Sequence, residues 1–290
     1  MFFDFTLIGL PEKIWSLFMA IISLFVGFMD MGIPTVTPEV EFIKEDQFLL
    51  VDAIYTGQGV ATDGEYYYTA GTITALDMAG IAKWDADTME LCVKNNDPIP
   101  AEYKDKYNTD HIGGISYYNG LIYAAVENKA EDFPLIITYD ARTLKMVEVY
   151  EVEGELLPDG IPWCAVDASS GYIYTSQFNE AEYIVAYDLY TMEFSHMLPL
   201  SEKILRIQGG EVYNGVLYLS NDDKATNDDS IYTVDLNDGK VTKLCTRSLP
   251  SMAGNEAEDI TVYPMADGTL IHVLDYDKTI GVYLRHYAVK

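Results

Sequence analysis

From about residue 40 onward, short apolar stretches rich in Tyr, Ile and Val alternate with turn residues at nearly even intervals. That is a strand pattern, not a helical one. A tight turn followed by a Tyr-rich strand recurs five times, at Asp63-Gly64, Asn119-Gly120, Ser170-Gly171, Asn214-Gly215 and Asp267-Gly268. Three residues beyond each glycine stand Tyr67, Tyr123, Tyr174 and Tyr218, with Ile271 in the fifth copy. From Gly64 to Gly120, Gly171, Gly215 and Gly268 the steps are 56, 51, 44 and 53 residues. Propeller repeats run to ~40–50 residues per blade. Asn-Gly and Asp-Gly are strong hairpin signals because a type I′ turn needs positive φ at both central residues.

A third strand follows in four copies and ends on aspartate: Ile81–Asp85, Ile136–Asp140, Ile184–Asp188 and Ile231–Asp235. A polar turn and a fourth strand come next, giving the four antiparallel strands of a propeller blade. In the fifth copy Ile280–Val289 supplies a third strand and the sequence then stops. Phe48–Tyr55 (FLLVDAIY), which precedes the first blade, is expected to be the missing fourth strand. It would close the ring and cover two sheet edges. The expected architecture is all-β, a five-bladed β-propeller over residues 47–290. A β-sandwich made from the same hairpins is the alternative.

Ahead of the repeats, Ile14–Met29 is an uncharged apolar run between Lys13 and Asp30. As a helix it would span ~24 Å, slightly under the ~30 Å hydrocarbon core. Small residues at cleavage-site spacing are missing from Val26 to Gly32, which favours an uncleaved signal anchor over a cleaved signal or a surface-lying helix. Residues 1–33 are therefore expected to be a hydrophobic membrane-anchor helix and 34–46 a linker marked by Pro34 and Pro38. Lys13 on the N-terminal side places the propeller outside the cytoplasm, membrane-anchored or, if the segment is cleaved, secreted.

Charge narrows the partners. With 18 Lys+Arg against 46 Asp+Glu, the formal charge is -28. Such a surface repels phosphate backbones, so nucleic acid is a poor candidate partner; the acidity serves solubility, as in a salty or extracytoplasmic setting, or else the attraction of cations or basic ligands. Cys92, Cys164 and Cys245 are odd in number and widely spaced, so free, buried thiols are expected and neither a disulfide framework nor a zinc knuckle.

Strand alternation then assigns the faces. The two kinds of short turn share one face. The starts of the first strands and the ends of the second share the other, where connections are longer and function usually resides. At that face stand Gln58, Asp110, His111, Trp163, Arg206, Gln208, Glu256, Glu258 and Asp259 on the first strands. Glu127, Gln177, Asn221 and Asp275 stand on the second. Polar groups at one depth of a ring converge on an axial funnel, the default ligand site; the alternative for each of them singly is a structural cap that satisfies loose backbone groups around the channel. Its expected occupant is a small molecule, a peptide or a protein surface, met by a monomeric propeller. Asn221–Ser230 (NDDKATNDDS) is rich in oxygen ligands but lacks EF-hand order. It is expected to be a solvated loop, with Asp222, Asp223, Asp228 and Asp229 the weak candidates for a Ca2+ ion; no other cofactor is called for.

Gly57-Gln58-Gly59-Val60, with Asp63-Gly64 and Tyr66–Thr72, resembles the opening of the glutamine cyclotransferase family and, more loosely, YncE-like and quinoprotein-type propellers. The close match covers about fifteen residues. The resemblance implies a five-bladed propeller with an acid/base carboxylate near the axis. In the fourth blade this chain departs from the pattern, with Gln208-Gly209-Gly210-Glu211 in place of an acidic pair. If the activity is kept, Glu127 or Glu258 would take a proton from the attacking α-amine and deliver it to departing ammonia, with His111 assisting.

Overall fold

A computed structural model describes residues 40–223, 228–247, 255–277 and 281–290. Among these residues, twenty strands pair into five four-stranded antiparallel sheets. Strand β1 (Val40–Leu49) comes first in the chain and belongs to the last blade. The first blade is β2 (Gly59–Thr62), β3 (Tyr66–Ile73), β4 (Met78–Asp85) and β5 (Leu91–Asn95). The second is β6 (Thr109–Tyr118), β7 (Leu121–Asn128), β8 (Leu135–Asp140) and β9 (Met146–Glu151). The third is β10 (Ala165–Asp167), β11 (Tyr172–Thr175), β12 (Glu180–Asp188) and β13 (Phe194–Leu205). The fourth is β14 (Ile207–Tyr213), β15 (Val216–Asp223), β16 (Asp228–Asp235) and β17 (Val241–Arg247). The fifth is β18 (Asn255–Val262), β19 (Ile271–Asp277), β20 (Gly281–Val289) and, outermost, β1. Innermost strands β2, β6, β10, β14 and β18 touch in that order and β18 touches β2, so the ring is closed.

The closing strand is not the expected one. Val40–Leu49 pairs with β20 along its length, from Val40 opposite Val289 to Leu49 opposite Gly281. Only Phe48 and Leu49 of the expected Phe48–Tyr55 take part, and residues 40–46, expected as linker, are strand. An outermost strand is largely solvent-facing and needs no apolar run. The apolar run after it instead forms a 3-10 turn (Leu50–Asp52) and a short helix, α1 (Ala53–Thr56), buried throughout. Short apolar runs do not by themselves separate a strand from a buried helix.

Helix α1 sits on a seat cut for it in the first blade. Gly71 and Gly80 face each other across β3 and β4. A Cβ on Gly71 would lie 2.2 Å from the Ala53 carbonyl oxygen, and one on Gly80 2.5 Å from the Tyr55 ring. Gly71→Ala is therefore expected to destabilise the protein by about 1–3 kcal/mol through overpacking. A urea-unfolding midpoint equal to that of the wild type would remove this account of the seat.

The core is five interfaces between blades, with no single centre. Ile81, Ile112, Ile122 and Ile137 pack between the first and second blades, and Ile136, Ile173 and Tyr187 between the second and third. Trp163, Ile184 and Leu219 fill the next gap, Ile231, Cys245 and Ile260 the one after. Phe48, Tyr67, Trp84 and Leu284 close the circle. At this last junction His286 Nε2 lies 3.0 Å from Asp46 Oδ2, and its Nδ1 lies 2.7 Å from Nδ1 of His272. The polar chain thus crosses from β1 through β20 to β19.

The repeat has a local cause. At the ends of β4, β8, β12 and β16, the carboxylates of Asp85, Asp140, Asp188 and Asp235 accept the backbone N–H groups of Thr88, Thr143, Thr191 and Asn237. Each holds its turn in shape, and the bonds lower its pKa. In the first turns of the blades, both residues of Asn119-Gly120 and Asn214-Gly215 are left-handed, as type I′ requires. At Asp63-Gly64 and Asp267-Gly268 only glycine is. There the aspartate side chain braces the turn, accepting from the N–H groups of Glu65 and Thr269.

The expected anchor helix, residues 1–33, and linker residues 34–39 lie outside the described residues. Among the described residues no helix is long and apolar enough to cross a membrane. All three cysteines are free; Cys164 and Cys245 are buried, and Cys92, expected buried, is exposed.

Candidate functional site

At the expected face the blades surround a cavity of about 420 Å3. Gln58, Asp110, His111, Glu127, Arg206, Gln208 and Glu258, all expected there, line it. So Glu258 and His111 share one concavity although β18 and β6 belong to different blades.

Backbone irregularities aim several of these groups. The pairing of β6 with β7 slips between Thr109 and His111, that of β14 with β15 between Ile207 and Gly209, and that of β18 with β19 between Ala257 and Ile260. Each bulge lies where its innermost strand enters from the funnel, and bulges re-aim side chains. Arg206, in left-handed backbone, donates to Asp222 through Nη2 at 2.8 Å and stacks its guanidinium 4.7 Å from the Phe178 ring. Gln58 donates to Glu258 at 3.4 Å.

Glu127 stands directly across from His111 in the β6–β7 ladder. Its Oε2 accepts the Ile161 N–H at 2.8 Å and lies so close to Gly160 that a Cβ there would be 2.1 Å away. Burial pushes its pKa up to about 7, the Ile161 N–H pulls it back, and Glu131, Asp159 and Asp110 add to the rise. Burial likewise pushes the His111 imidazole down, favouring the neutral ring.

The funnel is acidic. Carboxylates from Asp110, Glu127, Glu131, Asp159, Glu256 and Glu258 line it, against the cations of Lys129 and Arg206. Both cations are engaged by carboxylates, Lys129 by Asp110 at 3.2 Å and Arg206 by Asp222 at 2.8 Å. Asp159 is partly committed to its loop, accepting the N–H groups of Phe178 and Asn179. The lining residues not singled out from the sequence as funnel groups (Thr74, Lys129, Glu131, Asp159, Pro162 and Phe178) come from connections between strands. Extending each strand end a few residues into its loop would have found them.

Five expected residues lie elsewhere. Trp163 is fully buried; its Nε1 donates to Ser176 Oγ at 3.1 Å, and the indole lies against Gly210. Gln177 donates to the Glu180 carbonyl at 2.8 Å. Asn221 bonds the Leu205 carbonyl and the Ser230 N–H, tying strand ends together. Asp259 is at the hub, its Oδ2 accepting Val60 N–H at 2.9 Å and Ile115 N–H at 2.8 Å, its Oδ1 accepting Ile260 N–H. Asp275 is buried between Arg247 and Arg285.

The expected solvated loop Asn221–Ser230 is in large part paired strand, Asn221 opposite Ser230 and Asp222 opposite Asp229; residues 224–227 lie outside the described residues. Asp222 faces the Arg206 guanidinium, and burial pushes Asp229 up to about 7. The side chains of Asp223 and Asp228 lie outside the described residues. Among the described residues no group of three or more His, Cys, Asp or Glu is placed to hold a metal ion.

Strand pairing and ring closure thus define a five-bladed propeller with an acidic axial funnel. No protein-family model matches the chain, and no curated protein matches its sequence. Among solved structures it is similar to hydrazine synthase of Kuenenia stuttgartiensis, at 14% identity over 75% of this chain and 55% of that one, TM-score 0.44. It is also similar to the Dos1 propeller, at 11% identity, 79% and 67% coverage and TM-score 0.41. A luciferin-regenerating enzyme is similar at 11% identity, 88% and 95% coverage and TM-score 0.47. The match spans about half the length of the hydrazine synthase chain.

Proposed function

We propose that the protein is a binding propeller whose funnel takes a small ligand, or the side chain of a peptide or surface partner, carrying a protonated amine or guanidinium. The observation that carries this reading is the lining of the cavity: six carboxylates face two cations, of which Lys129 is engaged by Asp110, one of the six, and Arg206 by Asp222 outside the lining. An approaching cation regains in the funnel the charge-assisted hydrogen bonds it loses from water. An anion would have to displace existing pairs.

The reading is tested by titrating the full chain with agmatine, with a neutral guanidine-free analogue and with a dicarboxylate. Saturable binding of agmatine alone is expected, weakening as salt is raised. Equal or tighter binding of the dicarboxylate would end the proposal. Glu127 adds a pH signature. A cation favours its ionised form, so affinity should rise as pH climbs through about 7, and Glu127→Gln should flatten that rise.

Stability should carry the opposite slope. Because the folded protein raises the Glu127 pKa above the ordinary value of 4.5, its contribution is full below pH 4.5 and is lost as pH rises to about 7. Thermal unfolding followed between these limits should show Glu127→Gln gaining relative to the wild type as pH increases. Parallel curves would mean that Glu127 is not perturbed as described.

A second reading, acid/base catalysis of the glutamine cyclotransferase type, is favoured by one observation. Glu127, with a pKa of about 7, is suited to accept and return a proton near neutrality, and it stands opposite a neutral-leaning His111. Turnover of peptides with N-terminal glutamine, abolished in Glu127→Gln, is the expected result. No turnover by the wild type would leave binding as the function.

We further propose that Ile14–Met29 tethers the propeller to a membrane with the funnel outside the cytoplasm. The support is the uncharged apolar run and Lys13 on its N-terminal flank. Alkaline extraction of membranes should leave the full chain in the pellet and release a chain lacking residues 1–33. Release of both would overturn the tether.

A further inference from the structure

The opposite mouth of the ring, on the side of the short turns, holds a second cavity of about 430 Å3. All five blades line it, and its walls are tyrosine: Tyr117 and Tyr118 from the second, Tyr213 from the fourth, Tyr263 from the fifth. Two of these rings lie against neighbours within the protein. Tyr117 stacks parallel on Tyr68, centroids 5.6 Å apart, and Tyr68 is itself held by Asp63. Tyr263 lies over Gly64, where a Cβ would meet the ring at 2.4 Å. Rings held in place before binding lower the entropic cost of capture.

At the floor is Glu211, about nine-tenths buried and part of the cavity lining. Ser116 Oγ donates to it at 3.2 Å, and among the described residues no lysine or arginine forms a salt bridge with it. Burial, with Asp259 nearby, pushes its pKa well up, while Ser116 and the Val212 N–H pull it back, so the carboxyl gives up its proton only where a bound cation takes the place of that proton's charge. The other carboxylate in the lining, Asp167, is committed to its own turn through the N–H and hydroxyl of Ser169.

We propose that this second cavity binds a small organic cation whose charge is clothed in alkyl groups, a quaternary ammonium or heavily methylated amine, with Glu211 as its counter-ion. A bare ammonium brings three donors and needs three acceptors. In this cavity Glu211, bonded to Ser116 but paired with no Lys or Arg among the described residues, is the carboxyl group not tied to a turn, and much of the remaining wall is ring faces and the aliphatic Val166, Val212 and Val262. An alkylated ammonium has spread charge and apolar shoulders, which tyrosine faces receive by cation–π attraction and contact. The site is separate from the funnel and does not depend on the function proposed for it.

The test is calorimetric titration of the full chain with choline and with 3,3-dimethylbutan-1-ol, its uncharged isostere. Choline should bind saturably and the alcohol not at all. Glu211→Gln, checked for folding by thermal melt, should weaken choline by about tenfold or more. If that variant does not fold, Tyr213→Leu carries the same expectation. The proposal is overturned if choline shows no saturation, if the alcohol binds equally well, or if folded Glu211→Gln binds choline as the wild type does. It is equally overturned if Glu127→Gln abolishes choline binding and Glu211→Gln spares it, since that places the ligand in the funnel.

Discussion

Replacing Asp259 by alanine is expected to destabilise the protein by on the order of 4 kcal/mol, more than any substitution in the funnel lining. Its carboxylate accepts N–H groups of Val60 in the first blade, Ile115 in the second and Ile260 in its own, the fifth, and the backbone of Gly210 in the fourth bonds it as well. One side chain thus joins four of the five blades at the axis. Alanine would leave these donors buried and unpaired, and each such group costs about 1–3 kcal/mol. Asparagine keeps one acceptor and turns an NH2 toward donors, so it should lose roughly half as much. Urea unfolding reads both. A value for Asp259→Ala within about 1 kcal/mol of the wild type would mean that water or relaxation satisfies the donors, and that the hub does not hold the ring.

The hub also accounts for the departure in the fourth blade. A Cβ at Gly209 would stand 2.2 Å from Asp259 Oδ1, and one at Gly210 2.6 Å from the Trp163 indole. Gln208-Gly209-Gly210-Glu211 is therefore cut to admit a neighbouring carboxylate and a tryptophan. Its glycines serve the packing of the ring, while its two polar residues serve opposite mouths, Gln208 the funnel and Glu211 the tyrosine-walled cavity.

Depth along the axis was legible in the sequence, because the turn glycines set a register that each blade keeps. Facing was not. Glu258 and Asp259 are adjacent, and a strand turns neighbours to opposite sides. One lines the cavity and the other enters the hub, and nothing in their chemistry distinguishes them. The bulges at Thr109/His111, Ile207/Gly209 and Ala257/Ile260 decide which residue faces in, and a bulge adds a residue without a reliable mark in the sequence. The closing strand failed for the converse reason. VEFIKEDQFL is an exposed outer strand with charged residues along it, and its identity rests on pairing to a partner some 240 positions away. The apolar segment beside it looked more like a strand because it is more deeply buried.

Asp275 supplies the second large effect. It lies fully buried between two arginines: Oδ1 accepts Arg247 Nη2 at 2.9 Å, and Oδ2 accepts Arg247 Nη1 at 2.8 Å and Arg285 Nη1 at 2.6 Å. Arg247 is on the outer strand of the fourth blade, Asp275 and Arg285 are on the fifth, and Arg285 reaches Glu45 on the closing strand at 2.9 Å. Removing the carboxylate strands a guanidinium with no access to water, so Asp275→Ala should cost about 3–5 kcal/mol. The cost should also depend on pH. Burial and the Asp275 charge itself push neighbouring Asp229 up to about 7, and its proximity to Arg247 pulls the other way. Without Asp275, Asp229 ionises more readily and replaces part of the lost counter-charge. Asp275→Ala should therefore be less damaging near pH 8 than near pH 5, and the double variant Asp275→Ala/Asp229→Asn should lose that difference. Replacing Arg247, Asp275 and Arg285 together by apolar residues of similar volume should do far less harm than the single change at pH 5, because no guanidinium is left buried without a counter-charge and Asp229 stays protonated. If the triple replacement proves as damaging as Asp275→Ala alone, the loss comes from packing at the blade junction and the electrostatic account of this staple fails.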